Sequence, residues 1–185
     1  MKVIPTALPG VLIFEPKVFN DTRGFFFESY SARAFRKATG LDPVFVQDNH
    51  SRSTRGVVRG LHYQVRQTQG KLVRVMHGRV FDVAVDVRRG SPHFGRWTGI
   101  ELSEDAPYRM FWVPPGFAHG IIVLSDHADF LYKATDFYAP EHERTIFWND
   151  PDIGIEWPLE GLGELLLSEK DKAGRRLKDA DLCDL

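Results

Sequence analysis

Between residues 80 and 87 the chain reads Val80-Phe81-Asp82-Val83-Ala84-Val85-Asp86-Val87. Phe81, Val83, Val85 and Val87 share one parity, and Asp82, Ala84 and Asp86 share the other. A period of two is that of a β-strand, whose successive side chains point to opposite faces. Residues 71–76 before it are also strand-like, and His77-Gly78 between the two runs predicts a hairpin turn. Residues 96–102, 110–113, 120–124 and 130–135 read as further strands. Gly and Pro punctuate these runs at intervals of about 8–12 residues, the spacing of a sandwich or barrel.

Helical signals are few. Ser31 can cap a short helix over residues 32–38, closed by Gly40, and residues 168–172 can open another near the C-terminus. Residues 148–158, with Pro and Trp, predict a loop that packs on the barrel. No linker, repeat or low-complexity segment divides the chain. The expected architecture is all-β: a jelly-roll β-barrel with small peripheral helices, in one domain spanning residues 1–185.

Charge and cysteine content narrow the class. The net charge is −1, so no global basic field draws in nucleic acid or an anionic membrane, and a charged ligand must be caught locally. The single cysteine, Cys183, rules out a disulfide framework within one chain and makes a reducing compartment the default. The N-terminal segment has early prolines and no long apolar run, so no signal peptide is expected. No stretch approaches the roughly 20 apolar residues of a membrane-spanning helix. A cytoplasmic location is the expectation.

Two histidines, His62 and His119, sit in short segments spaced like the two metal-binding motifs of a cupin barrel. The remaining metal positions carry the wrong chemistry. Gln64 stands where a second His is common, and Lys71, counted back from Gly78, stands where a Glu is common. An ammonium has no lone pair to offer and repels a dication, and two imidazoles with one amide make a poor site. No metal is therefore expected. The same residues suit proton chemistry: an imidazole near neutral pKa as base, and a lysine to hold the anion that forms. Taken singly, His62 reads equally as a satisfied barrel histidine and Lys71 as a surface lysine.

Tyr132 lies at the parity of Phe130 and Ala134, where a phenol in an apolar pocket keeps its proton and can donate it. A core tyrosine bonded to a backbone carbonyl fits the pattern as well. Arg23 and Arg59 offer forked donors suited to phosphate, Gln47-Asp48-Asn49 offers polar edges, and a solvated surface role for each Arg stays open. No Gly-x-Gly-x-x-Gly or Walker-type loop occurs, so neither a nicotinamide cofactor nor ATP is expected, and no Gly-x-Ser-x-Gly elbow offers a nucleophilic serine.

Several blocks, read in order, resemble the dTDP-4-dehydrorhamnose 3,5-epimerase family. They are Arg23-Gly24-Phe25-Phe26-Phe27-Glu28, Gln47-Asp48-Asn49-His50-Ser51, Arg59-Gly60-Leu61-His62-Tyr63-Gln64 and Gly70-Lys71-Leu72-Val73-Arg74. Phe81-Asp82-Val83-Ala84-Val85-Asp86, Pro115-Gly116-Phe117-Ala118-His119-Gly120, Phe130-Leu131-Tyr132-Lys133 and Trp148-Asn149-Asp150-Pro151 follow. The resemblance implies a metal-free cupin jelly roll acting on dTDP-4-dehydro-6-deoxy-α-D-glucose. The product is dTDP-4-dehydro-β-L-rhamnose, on the route to bacterial surface polysaccharide such as lipopolysaccharide.

It implies that His62 is the base, that Asp171 orients it through the imidazole Nδ1–H, that Lys71 faces the C4 oxygen, and that Tyr132 is the opposing acid. Substrate contacts are implied for Arg23, Phe26, Glu28, Gln47, Asp48, Asn49, Arg59, His119, Glu143 and Lys170, with Tyr138 stacking on thymine. The family's Arg23–Glu28 arm implies a homodimer whose sites are completed by the neighbouring subunit. Three alternatives stay open: an epimerase of only C3 or only C5, a metal-dependent cupin enzyme, and a non-catalytic sugar-nucleotide binding module.

Overall fold

The computed structural model describes residues 1–182; Cys183 lies outside the described residues. The strands, in chain order, are β1 (Lys2–Pro5), β2 (Leu12–Glu15), β3 (Val18–Asp21), β4 (Gly24–Phe27), β5 (Gln47–Thr54), β6 (Val57–Gln64) and β7 (Lys71–His77). After them come β8 (Arg79–Asp86), β9 (Trp97–Ser103), β10 (Met110–Val113), β11 (Phe117–Val123), β12 (His127–Ala134), β13 (Glu143–Thr145) and β14 (Leu166–Leu167). Two helices, α1 (Ala32–Thr39) and α2 (Glu169–Lys172), accompany them. No helix among the described residues is long and apolar enough to cross a membrane.

Two large sheets face each other as a jelly roll. One runs β1-β2-β10-β7-β12-β5 and the other β13-β6-β11-β8-β9, with β14 parallel to β6. Strands β3 and β4 form a separate hairpin. Between the sheets lies a core of Val73, Val75, Val80, Ala84, Phe111, Ile121, Val123 and Phe130. Both outer faces are covered as well. Helix α1 lays Phe35 over Phe14, Leu72, Met110 and Trp112 on the first sheet. Residues 146–177 lay Ile146, Ile153, Ile155, Trp157 and Leu162 over Val58, Val83, Val85 and Ile122 on the second.

Double coverage explains the alternation in β8. Its Val83 and Val85 turn outward beneath the C-terminal segment, while Asp82 and Ala84 turn into the barrel. Residues at both parities are buried, so neither face is the solvated one that a half-buried strand would show.

The helix reading holds in detail. Ser31 Oγ accepts from Ala34 N–H at 3.2 Å, and Gly40 closes α1 in the left-handed conformation. Residues 148–158 form no strand or helix, and Trp148 and Trp157 pack on the second sheet. The predicted hairpin at His77-Gly78 is a correction. Strand β7 belongs to the first sheet and β8 to the second, so Gly78 carries the chain across the barrel. It does so at φ +76°, where a Cβ would lie 2.1 Å from the His127 carbonyl oxygen. Strands β1 to β6 had no clear period-two signal and emerge only in the fold.

Candidate active site

One end of the barrel opens into a cavity of about 360 Å³. Its wall takes Gln47 and Asn49 from β5, Arg59 and His62 from β6, Lys71 from β7, His119 from β11, and Phe130 and Tyr132 from β12. Tyr138, Glu143 and Lys170 close the rim. Strand alternation places most of these, but not Arg59 and His62, which are three apart and would face opposite ways on a regular strand. The β6–β11 register shifts between the pairs His119↔His62 and Ile121↔Arg59, so both reach the cavity. Gly60 permits the irregularity: its φ is +118° and a Cβ would lie 2.6 Å from the His119 carbonyl oxygen.

His62 Nε2 lies 2.6 Å from Asp171 Oδ1. This corrects the expected atom. Asp171, carried by α2, holds Nε2, so Nδ1 is the nitrogen left for a ligand. Asp171 also accepts from Gly60 N–H at 3.1 Å and from Ser168 Oγ at 2.6 Å. Burial pushes the Asp171 carboxyl up, but the bonds from His62, Ser168 and Gly60 outweigh it and hold the group down at about 2. Burial lowers the His62 pKa below its usual value against the pull of Asp171, and the Lys170 and Lys71 charges lower it further. A neutral imidazole oriented by a carboxylate is a competent base near pH 7.

Lys71 makes no hydrogen bond or ion pair to a described residue; its Nζ stands 5.7 Å from the Tyr132 ring centre. Burial lowers its pKa to about 8, with Glu143 and Asp82 opposing. Burial and then Glu143 raise the Tyr132 pKa, so its phenol keeps its proton. Tyr132 forms no bond to a backbone carbonyl among those described, unlike the core-tyrosine alternative, and lines the cavity. His62, Lys71 and Tyr132 thus line one cavity.

The polar rim is organised before any ligand arrives. Glu143 accepts from Lys170 Nζ and from Tyr138 O–H, both at 2.9 Å. Gln47 Nε2 donates to Asn49 Oδ1 at 3.0 Å, and Gln47 Oε1 accepts from Tyr138 N–H at 3.0 Å. Asn49 Nδ2 is buried with no partner, a donor available to a ligand. Arg59 Nε donates to Ser53 Oγ at 3.0 Å, leaving its terminal nitrogens for the cavity.

Metal chemistry does not fit these donors. Gln64 is spent on the backbone: Nε2 donates to the carbonyls of Gln67 at 2.7 Å and Phe137 at 3.2 Å, and Oε1 accepts from Ala139 N–H at 2.9 Å. Lys71 occupies the position a carboxylate ligand would need. Among the described residues no three His, Cys, Asp or Glu side chains gather as a metal site.

Four expected contacts lie elsewhere. Asp48 points to the opposite side of β5 from Gln47 and Asn49, and Lys133 Nζ donates to its Oδ1 at 2.9 Å. Arg23, Phe26 and Glu28 lie on or beside the β3–β4 hairpin, outside the cavity; Arg23 pairs with Asp21 at 2.6 Å and Phe26 is 70% exposed. Conversely, Gln69 lines the cavity and Asp82 underlies it, and neither was singled out from the sequence. An acid at the parity of Ala84 in a Val-rich strand was the available signal for Asp82.

A family model described as dTDP-4-dehydrorhamnose 3,5-epimerase matches residues 5–179. The dTDP-4-dehydrorhamnose 3,5-epimerase of Pseudomonas aeruginosa is 62% identical over 181 residues, covering 98% of each chain. That of Salmonella typhimurium is 55% identical over 185 residues, covering 100% of each. Among solved structures, a dTDP-6-deoxy-D-glucose-3,5-epimerase of Legionella pneumophila, in complex with dTDP-4-keto-L-rhamnose, superposes with a TM-score of 0.94. It is 52% identical, and the match covers 100% of this chain and 98% of that one.

Proposed function

The chain belongs to the dTDP-4-dehydrorhamnose 3,5-epimerase family, and on that footing we propose that its cavity inverts C3 and C5 of dTDP-4-dehydro-6-deoxy-α-D-glucose, giving dTDP-4-dehydro-β-L-rhamnose. Both carbons flank the C4 ketone, so each C–H is acidified by the same carbonyl. His62 Nδ1 takes the proton, and the C–H electron pair moves into an enolate with its charge on the C4 oxygen. Lys71 faces that oxygen and stabilises it as the charge develops. Tyr132 O–H returns a proton to carbon from the other side, the carbonyl reforms, and configuration is inverted. Proton exchange with solvent then resets His62 and Tyr132. Arg59 and Lys170 receive the diphosphate, Tyr138 stacks on thymine, and Gln47, Asn49, His119 and Glu143 contact the remaining polar groups.

The observation that carries this reading is that His62, Lys71 and Tyr132 line one cavity, with His62 Nε2 held by Asp171. Proton NMR of the substrate with purified protein in D2O, without added metal, tests it. Loss of both the C3 and C5 proton signals is expected. Loss of one alone would make the chain a single-centre epimerase, and retention of both would leave a binding module or a metal-dependent cupin enzyme.

The pH profile should follow from the two perturbed groups. His62 must be neutral, so activity falls as pH drops through its lowered pKa, below the usual value of about 6.5. Lys71 must be charged, so activity falls as pH rises through about 8. A bell with these limbs in kcat/KM is the expected outcome; an alkaline limb above pH 10 would remove Lys71 from the mechanism.

The same reading makes the active form a homodimer, in which the hairpin of one protomer delivers Arg23, Phe26 and Glu28 to the cavity of its partner. Phe19, Phe25 and Phe26 are each more than half exposed on this one hairpin, an apolar surface suited to an interface. Sedimentation equilibrium should give twice the chain mass of 21.1 kDa. A fully active monomer would count against the shared site.

A further inference from the structure

Asp82 is buried and titratable, and the proton transfers above make no use of it. It lies on the barrel side of β8 with 0% exposure. Its Oδ1 is 2.8 Å from His119 Nε2, and its Oδ2 is buried without a hydrogen-bond partner. A dry carboxylate with an unfilled oxygen is costly unless positive charge stands close by. Strand β11 sets His119 in register with His62 on one neighbour and with Ala84 on the other, so His119 stands between the His62 base and the β8 strand that carries Asp82. Lys71 enters from β7 in the opposite sheet, without an ion pair of its own among the described residues.

We propose that Asp82 is a positioning residue for the reaction: its carboxylate is the fixed counter-charge of Lys71 and turns His119 Nδ1 toward the substrate. The inference rests on the epimerase reading of this cavity. The charged and titratable groups around Lys71 are Asp82 (β8), Glu143 (β13), Lys170 (α2), His62 (β6), His119 (β11) and Tyr132 (β12). Of the two carboxylates, Glu143 is already bonded to Lys170 and Tyr138, whereas Asp82 has His119 alone. Burial works against the Lys71 ammonium, and Glu143 and Asp82 resist it. Without Asp82 the ammonium is lost at lower pH. His119 Nε2 is engaged by Asp82, so its Nδ1 is the nitrogen on the cavity side. Asp82 touches no substrate and acts through these two neighbours.

Asp82→Asn is isosteric and keeps an acceptor for His119, so it removes the charge with little change of shape. The readout is the rate of deuterium entry at C3 and C5 against pH, beside dTDP affinity by calorimetry. The expected loss grows by about sixfold between pH 6.5 and 8.5, as the alkaline limb moves down by about one unit. It affects both carbons equally, because the C4 oxygen is common to them, and dTDP affinity stays unchanged. His119→Gln, which leaves the Asp82 charge in place, should lower the rate without moving that limb. A loss equal at every pH, or no loss, overturns the counter-charge. Should Asp82→Asn not fold, the carboxyl carbon-13 shift of Asp82 in the unaltered protein decides: ionised at pH 7 supports the proposal, protonated at pH 7 overturns it. If the unaltered protein exchanges neither proton, the epimerase reading fails, and the carbon-13 titration still decides the counter-charge.

Discussion

His62→Gln is expected to slow deuterium entry at both C3 and C5 by about 10³-fold while leaving dTDP affinity nearly intact. A positioned general base contributes about 10² to 10⁴ in rate, and this imidazole is held by a carboxylate at 2.6 Å. Glutamine is the informative replacement. Its amide can still donate to Asp171 Oδ1, so the carboxylate keeps a partner and the packing of α2 on β6 is undisturbed. Asp171 is further held by Gly60 N–H and Ser168 Oγ, so the site is not left with a free charge. Proton NMR in D2O measures the exchange and calorimetry measures binding. Loss at one carbon alone would mean a second base serves the other. Loss of binding in proportion to rate would mean that His62 shapes the cavity instead of moving protons.

Lys71→Met should divide catalysis from stability. Removing the cation opposite the developing enolate is expected to lower kcat by about 10²- to 10³-fold, the usual loss for a preorganised anion-stabilising donor. The alkaline limb near pH 8 should vanish with it, because the group that titrates there is gone. Thermal stability should change little: methionine relieves the desolvation cost that depresses the Lys71 pKa, while Asp82 loses the nearby positive charge and takes up a proton instead, so the two effects oppose. A fall in Tm together with kcat would indicate that Lys71 serves the fold; an unchanged kcat would take it out of the reaction.

Much of the proposed chemistry was legible because it depends on residue type at short spacing. Lysine at position 71, where a cupin pattern has a carboxylate, argues against a metal in that pattern, since an ammonium has no lone pair. The helix over residues 32–39 was legible because its caps, Ser31 and Gly40, act within one turn. The strand at residues 79–86 was legible because its alternation is local. Where the signal depended on a partner strand, it was weaker. The step from His77 to Arg79 has the composition of a hairpin turn, and only the two-sheet arrangement makes it a crossover. The N-terminal strands carry no clean alternation of residue type: β1 and β2 are four residues long, and β5 is polar at both parities although its burial alternates in the fold.

The sequence by itself determined the strand-rich class, the two histidine segments, the ammonium in place of a ligand and the absence of a second cysteine. These follow from side-chain chemistry and from dihedral preferences set by near neighbours. Only the tertiary structure decided which nitrogen of His62 is free, since Asp171 reaches it from 109 residues away. It alone turned Asp48 away from the cavity and put Asp82 beneath His119, 37 residues distant in the chain. It also brought Arg59 and His62 to one face, through a register shift that two strands make together. Hydrogen bonds, burial and the pKa shifts that follow from them depend on distance in space, which strand pairing sets and sequence separation does not.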